Sequence, residues 1–164
     1  VLLAGAEKVS LNSPAVRAPN LITQGAAAFG SQCIVLGMDA KRDPLMPSGY
    51  RVYIDGFRTA TDLDALEWSE KAIELGAGEV VINAIDTDGT KAGYELALTK
   101  VLAARKPVAV LASGGAGNVE HVADVLINGH ADAALVASIV HYGECTVGDI
   151  KNHLTLRGVP VRKV

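Results

Sequence analysis

Pro107-Val108-Ala109-Val110-Leu111-Ala112-Ser113-Gly114-Gly115-Ala116-Gly117 is the stretch on which the fold of this chain turns. An apolar, β-branched run that ends in small residues and then opens a helix is a strand feeding a phosphate-sized hollow. Glycines let the backbone come close, and the unpaired N–H groups of the next helix's first turn attract an anion. Further on, Ala133-Ala134-Leu135-Val136-Ala137-Ser138 repeats the theme as a buried strand ending in Ala-Ser. Two neighbouring strand ends of this kind predict a shared phosphate site at the carboxyl rim of a parallel sheet, where the last strands of (β/α) barrels hold one.

The same strand–loop–helix unit recurs on both sides of this stretch. Lys8–Leu11 reads as a short strand ending at Asn12-Ser13-Pro14, with a helix through Leu21–Phe29. Cys33–Met38 is the second strand, ending at Asp39. The polar segment Asp43–Gly49 then leads to Arg51-Val52-Tyr53-Ile54-Asp55-Gly56, whose alternation and Asp-Gly pair predict an inserted hairpin. Asp62 is the expected N-cap of a helix that runs to Leu75 and stops at Gly76. Glu79–Ile85 is the third strand, leading to Asp86-Thr87-Asp88-Gly89-Thr90, and a helix spans about Tyr94 to Ala104. Helices over Val119–Asn128 and Val147–Leu156, with the strand ending at Ser138 between them, complete the series; Leu66 and Trp68 are expected in the core.

The strand ends fall at Asn12, Asp39, Asp86, Ser113 and Ser138. Outside the interval that holds the hairpin they recur every 25–27 residues or so, the length of one βα unit. The strands are apolar without strict alternation, as expected where helices cover both faces of a parallel sheet. Five units in one domain over residues 1–164 permit two architectures: a doubly wound sheet, complete at this length, or an incomplete (β/α)8 barrel. Polar residues at each strand end and the opening on Val1, as if entered within a helix, favour the incomplete barrel.

Composition bounds the partners. With 49% hydrophobic and 20% charged residues the chain is a globular protein, and a net charge of −3 leaves no basic footprint for nucleic acid. No apolar run approaches the ~20 residues needed to cross a bilayer, so no membrane role is expected. Cys33 and Cys145 have no Cys or His at metal-ligand spacing and read as reduced thiols of a cytoplasmic protein. Gly115-Ala116-Gly117 lacks the third glycine of a dinucleotide fingerprint, and Asp86–Thr90 lacks the distant Glu of a calcium loop.

Several segments taken in order, Gly5–Ser13, Met38–Arg42, Ile85-Asp86-Thr87-Asp88-Gly89-Thr90-Lys91-Ala92-Gly93-Tyr94, Ala112–Gly117 and Ala131–Leu135, resemble the cyclase subunit family of imidazole glycerol phosphate synthase, a (β/α)8 barrel of histidine biosynthesis. The resemblance covers nearly the whole chain, as strands four to eight of that barrel. It implies a lyase-type cyclase that uses ammonia from a glutaminase partner subunit and a substrate carrying a phosphate at each end, with no metal or organic cofactor. It also implies the roles of particular residues. Asp39 is the catalytic acid/base, and its bland alternative is an Asp capping a loop with Lys41 or Arg42. Asp88, Gly89, Ser113, Gly114, Gly115, Ala137 and Ser138 form one phosphate pocket, although Asp88 is an odd neighbour for an anion and Asp86–Gly89 could be only a turn. Asn12 and Ser13 hold the second phosphate, or else cap a helix. Asn83 stands where the family usually has Thr, and Lys8 and Glu79 ring the ammonia entrance facing the partner. The family's second acidic residue lies on the barrel's first strand, outside this sequence, so the chain is expected to lack full activity alone. The related isomerase of the same pathway, or a non-catalytic phosphate-binding half-barrel, are the alternatives; only the cyclase consumes ammonia.

Overall fold

Ile34–Arg42 (β2) is the pivot of the architecture, with partners along both edges. The computed structural model describes residues 1–105 and 107–162. Val9–Leu11 (β1) pairs parallel with the first part of β2, Val9 opposite Ile34. Glu79–Ala84 (β5) runs parallel along its other edge, and Ala109–Ser113 (β6) and Ala133–Ala134 (β7) follow in turn. The hairpin of Tyr50–Ile54 (β3) and Thr59–Asp64 (β4) pairs antiparallel with the last part of β2, above the end of β1. Together they form a sheet of seven strands.

The parallel strands lie side by side in sequence order, β1-β2-β5-β6-β7. A doubly wound sheet must reverse its order at a switch point, and this one does not. Right-handed crossovers between consecutive strands put their helices on one side, which is the arrangement of a barrel segment. Burial agrees. In β5 and β6, Val80, Ile82, Ala84, Val110 and Ala112 are buried, whereas Val81, Asn83, Leu111 and Ser113 between them are half-exposed. The expectation of helices on both faces is therefore corrected: one face is covered and the other is open and partly polar.

The covering helices are Ser13–Arg17 (α1), Asn20–Phe29 (α2), Ala65–Glu74 (α3), Leu96–Arg105 (α4), Val119–Ile127 (α5), Ser138–His141 (α6) and Val147–Leu156 (α7). Ile22 of α2, Leu66, Trp68 and Ala72 of α3, and Leu98 and Leu102 of α4 pack on Leu36, Met38, Val80, Ile82 and Val110. A second cluster gathers Tyr94, Ala112, Val122, Val125, Ile139, Ile150 and Leu154 around the later units. Each large aliphatic side chain buried here contributes about 1.5–3 kcal/mol. Among the described residues no helix is long and apolar enough to cross a membrane.

Local chemistry sets the boundaries, and four of them differ from expectation. Asp62 does not cap α3. Strand β4 continues through it, because Arg51 still pairs across to Asp64, and Asp64 is the N-cap, its Oδ1 accepting from the N–H groups of Leu66 and Glu67. Cys33 closes a 3-10 turn (Ser31–Cys33) before β2 rather than lying in the strand. Strand β7 ends at Ala134, and Ser138 opens α6 instead of ending a strand. Leu135 still donates to the carbonyl of Ala112 (2.8 Å) before the chain turns away. The helix expected from Tyr94 begins at Leu96, since Tyr94 and Glu95 are both buried and bonded elsewhere.

Candidate functional site

Register brings together what the sequence left as separate strand ends. Asp39 pairs with Asn83, and Asn83 with Ser113. In-register neighbours on parallel strands project their side chains to one face, about 4.8 Å apart per strand, so the three form a polar row across the open face. Asp39 lies within β2 rather than at its end, because the hairpin extends the strand to Arg42 and sets Tyr53 opposite Asp39. It is buried (3% exposed), and its Oδ1 accepts a hydrogen bond from Asn83 Nδ2 at 2.9 Å. That pairing, and not a loop cap with Lys41 or Arg42, orients the carboxylate. Asn83, the departure from the family's Thr, is thus the amide that holds Asp39.

Two residues before Asp39, Gly37 shares its face. A Cβ at Gly37 would meet Ser10 Oγ at 2.8 Å, so the missing side chain makes room for the Ser10 hydroxyl, with Asn12 Cβ at ordinary contact distance (3.5 Å) beside the row. Asn12 stands at the N-cap position of α1 but makes no cap hydrogen bond, and its Oδ1 is buried without a partner. The Ser13 hydroxyl accepts from the N–H of Asp55 at 2.9 Å, leaving its own proton to donate. Arg17 Nη2 reaches both oxygens of Asp55 (2.8 and 2.7 Å), and this guanidinium holds the Asp55 carboxyl below the usual carboxylate range. The hairpin tip is in this way tied down over Asn12 and Ser13.

At the other end of the row, Asp88, Gly89, Ser113, Gly114, Gly115, Ala137 and Ser138 line one cavity of about 400 Å³, with Lys91, Ala116, Leu135 and Val136. The amides of Gly89, Gly115 and Ser138 donate to no carbonyl of the described fold and are available to an anion. The glycine loop has a second duty. A Cβ on Gly115 would overlap the carbonyl of Gly93, and one on Gly117 that of Lys91. The Gly93 N–H donates to Gly115 O (2.8 Å), and Thr87 Oγ1 donates to Gly114 O (3.1 Å). The turn at Asp86–Thr90 is built by backbone bonds from Thr87 and Asp88 to Ala84 O; Asp86 instead accepts from the Arg42 N–H at 2.8 Å. Tyr94 donates its hydroxyl to Leu135 O (2.8 Å), and burial pushes its pKa up to about 12.

Sequence reasoning missed the brace behind this site. Glu95, almost fully buried, accepts from Arg42 Nε (3.0 Å) and Nη2 (2.7 Å), from the Tyr50 hydroxyl (2.9 Å) and from the Ala97 N–H (3.0 Å). It joins the end of β2, the hairpin and the start of α4. Burial, and then Glu95, push the Tyr50 hydroxyl up to about 12. A lone Glu after Tyr94 carries no spacing signal, and its side-chain partners, Arg42 and Tyr50, are more than forty positions away. At the amino ends of the strands, Lys8 and Glu79 form an ion pair. Among the described residues no group of three or more His, Cys, Asp or Glu side chains converges as a metal site would require.

A parallel strip with its helices on one face, and a polar row at the carboxyl half of its strands, defines a (β/α)-barrel protein, with the candidate site at the rim where such barrels carry theirs. The chain belongs to the histidine biosynthesis protein family, whose model matches residues 1–146. Named relatives include the imidazole glycerol phosphate synthase subunit HisF of Solidesulfovibrio magneticus, 56% identical over all of this chain, and that of Syntrophobacter fumaroxidans, 57% identical over 99% of it. The subunit HisF of Prochlorococcus marinus is 48% identical over the whole chain. The chain spans 64% of the length of each of these relatives.

Proposed function

We propose that this chain is the portion of a cyclase subunit of imidazole glycerol phosphate synthase that carries barrel strands four to eight, in a single domain. In this reading Asp39 exchanges protons with the substrate during ammonia addition and ring closure, a role worth about 10²–10⁴ in rate. Asn83 holds its carboxylate in place. The substrate, extended across the open face, sets one phosphate against Asn12 and Ser13 and the other in the cavity of Gly89, Gly115 and Ser138, with Ser113, Gly114 and Ala137 in its wall. Lys8 and Glu79 face the ammonia-supplying glutaminase subunit, and the protein works in the cytoplasm with no metal or organic cofactor.

The observation that carries this reading is the buried Asp39–Asn83 pair, set between the two candidate anion cradles on one face of the sheet. The test joins this chain to the amino-terminal third of the Solidesulfovibrio magneticus relative and follows ammonia-dependent formation of imidazole glycerol phosphate. Asp39→Asn should lower turnover at least ~100-fold with substrate affinity little changed. Undiminished turnover in that variant, or an isomerase reaction in place of ammonia consumption, refutes the proposal.

A further inference from the structure

The cavity wall carries one acidic side chain, Asp88, and one basic side chain, Lys91. Lys91 sits at φ +59°, a left-handed conformation that a lysine adopts only when its surroundings enforce it. They do so here. Its carbonyl lies where a Gly117 side chain would be, and two residues on the Gly93 N–H bonds Gly115 O. The lysine backbone is therefore fixed to the glycine loop, and only its side chain is free to choose a partner. That partner is Glu144, on the loop after α6, whose own N–H is held by Ile139 O (2.9 Å). Both side chains of the pair are 42% exposed, so water competes for the interaction and it holds weakly.

A phosphate monoester entering this cavity brings a charge of nearly −2 next to the carboxylate of Asp88. Backbone amides supply only partial charges against it. Resting on the reading of this cavity as a phosphate cradle, we propose that Lys91 is an anion-binding residue that Glu144 holds at the cavity mouth and that passes to the phosphate when it binds. The doubly charged ligand outcompetes a single solvated carboxylate for the ammonium, and the backbone that carries Lys91 is already in place.

The test titrates the 164-residue chain with inorganic phosphate and, separately, with glycerol 3-phosphate, following the amide NMR signals of Gly89, Gly115 and Ser138. Lys91→Gln should weaken binding by about tenfold or more, the loss expected for one charged contact, and should flatten the salt dependence. Lys91→Gly, which relieves the left-handed strain and keeps the loop, should weaken it as much. Glu144→Gln should do the reverse and tighten binding by roughly twofold to fivefold, because the ammonium no longer has to leave a partner. Were the pair merely structural, both sides of it would weaken binding alike. Unchanged affinity in the two lysine variants overturns the inference and leaves the phosphate reading standing, whereas no response from the wild-type chain overturns both.

Discussion

Glu95 is the residue whose replacement tests most directly how this fold is braced. Its Oε2 takes two hydrogen bonds from Arg42, and its Oε1 takes one each from Tyr50 and the Ala97 amide. Glu95→Gln keeps an oxygen for Tyr50 and Ala97 but turns an amide donor toward the guanidinium, so it isolates the Arg42 contact. A charge-assisted bond is worth about 1.5–3 kcal/mol. Arg42 is 64% exposed and regains water, so the loss should be discounted to about 1–2 kcal/mol. Glu95→Leu also leaves the Tyr50 hydroxyl and the Ala97 amide without acceptors, each costing about 1–3 kcal/mol, for a total on the order of 3–8 kcal/mol. At roughly 2–4 °C per kcal/mol for a domain of this size, the melting temperature should fall by about 2–8 °C for Gln and by at least about 6 °C for Leu. Circular dichroism melts at neutral pH measure both. A Leu variant as stable as the wild type, or one that melts with the Gln variant, would show that the network holds nothing together.

Other expectations follow from the same geometry. Gly115→Ala combines φ +108° with overlap on the Gly93 carbonyl and should cost about 3 kcal/mol or more, whereas Gly89→Ala, at φ +74° with open space around its Cβ position, should cost only about 1–2 kcal/mol; equal denaturation midpoints would contradict this. Burial raises the pKa of Asp64, but hydrogen bonds from Ser48, Glu67 and Leu66 outweigh it and leave the pKa lowered. Its contribution is thus present above the unfolded value near pH 3.9 and lost as pH falls through the lower folded value. Acid unfolding should accordingly begin at higher pH in Asp64→Asn. At neutral pH Asp64→Ala should lose about 1–2 kcal/mol as a missing cap, and urea midpoints check both variants. The 164-residue chain alone should turn over far more slowly than its fusion to a relative's amino-terminal third, and comparable rates would show that no residue outside it is needed.

Strand positions were legible because each apolar run breaks at a polar or small residue, as at Asn12, Ser113 and the Asp86 turn. What the chain alone hid was pairing. Asp62 and Asp64 both precede an amphipathic run, and only the cross-strand match of Arg51 with Asp64 decides which one caps the helix. Asp39 and Ser113 could be picked out as strand-end residues and Asn83 only through the family resemblance, but their alignment into one row depends on register, which no local pattern encodes. The glycines of residues 114–117 were read as clearance for a ligand. Part of their duty is instead to admit the Lys91–Gly93 backbone, a neighbour that only the tertiary fold brings near.

The ion pair of Lys8 and Glu79 has a mechanical meaning. Lys8 leads into β1 and Glu79 begins β5, yet the two strands do not touch, because β2 lies between them. A bond that skips a strand must reach over roughly 10 Å of sheet, a gap that the long side chains of a lysine and a glutamate bridge between them. The pair acts as a chord over β2, and with the Lys8 side chain 46% exposed it ties the two margins only lightly, so breaking it should leave the helix-covered side packed.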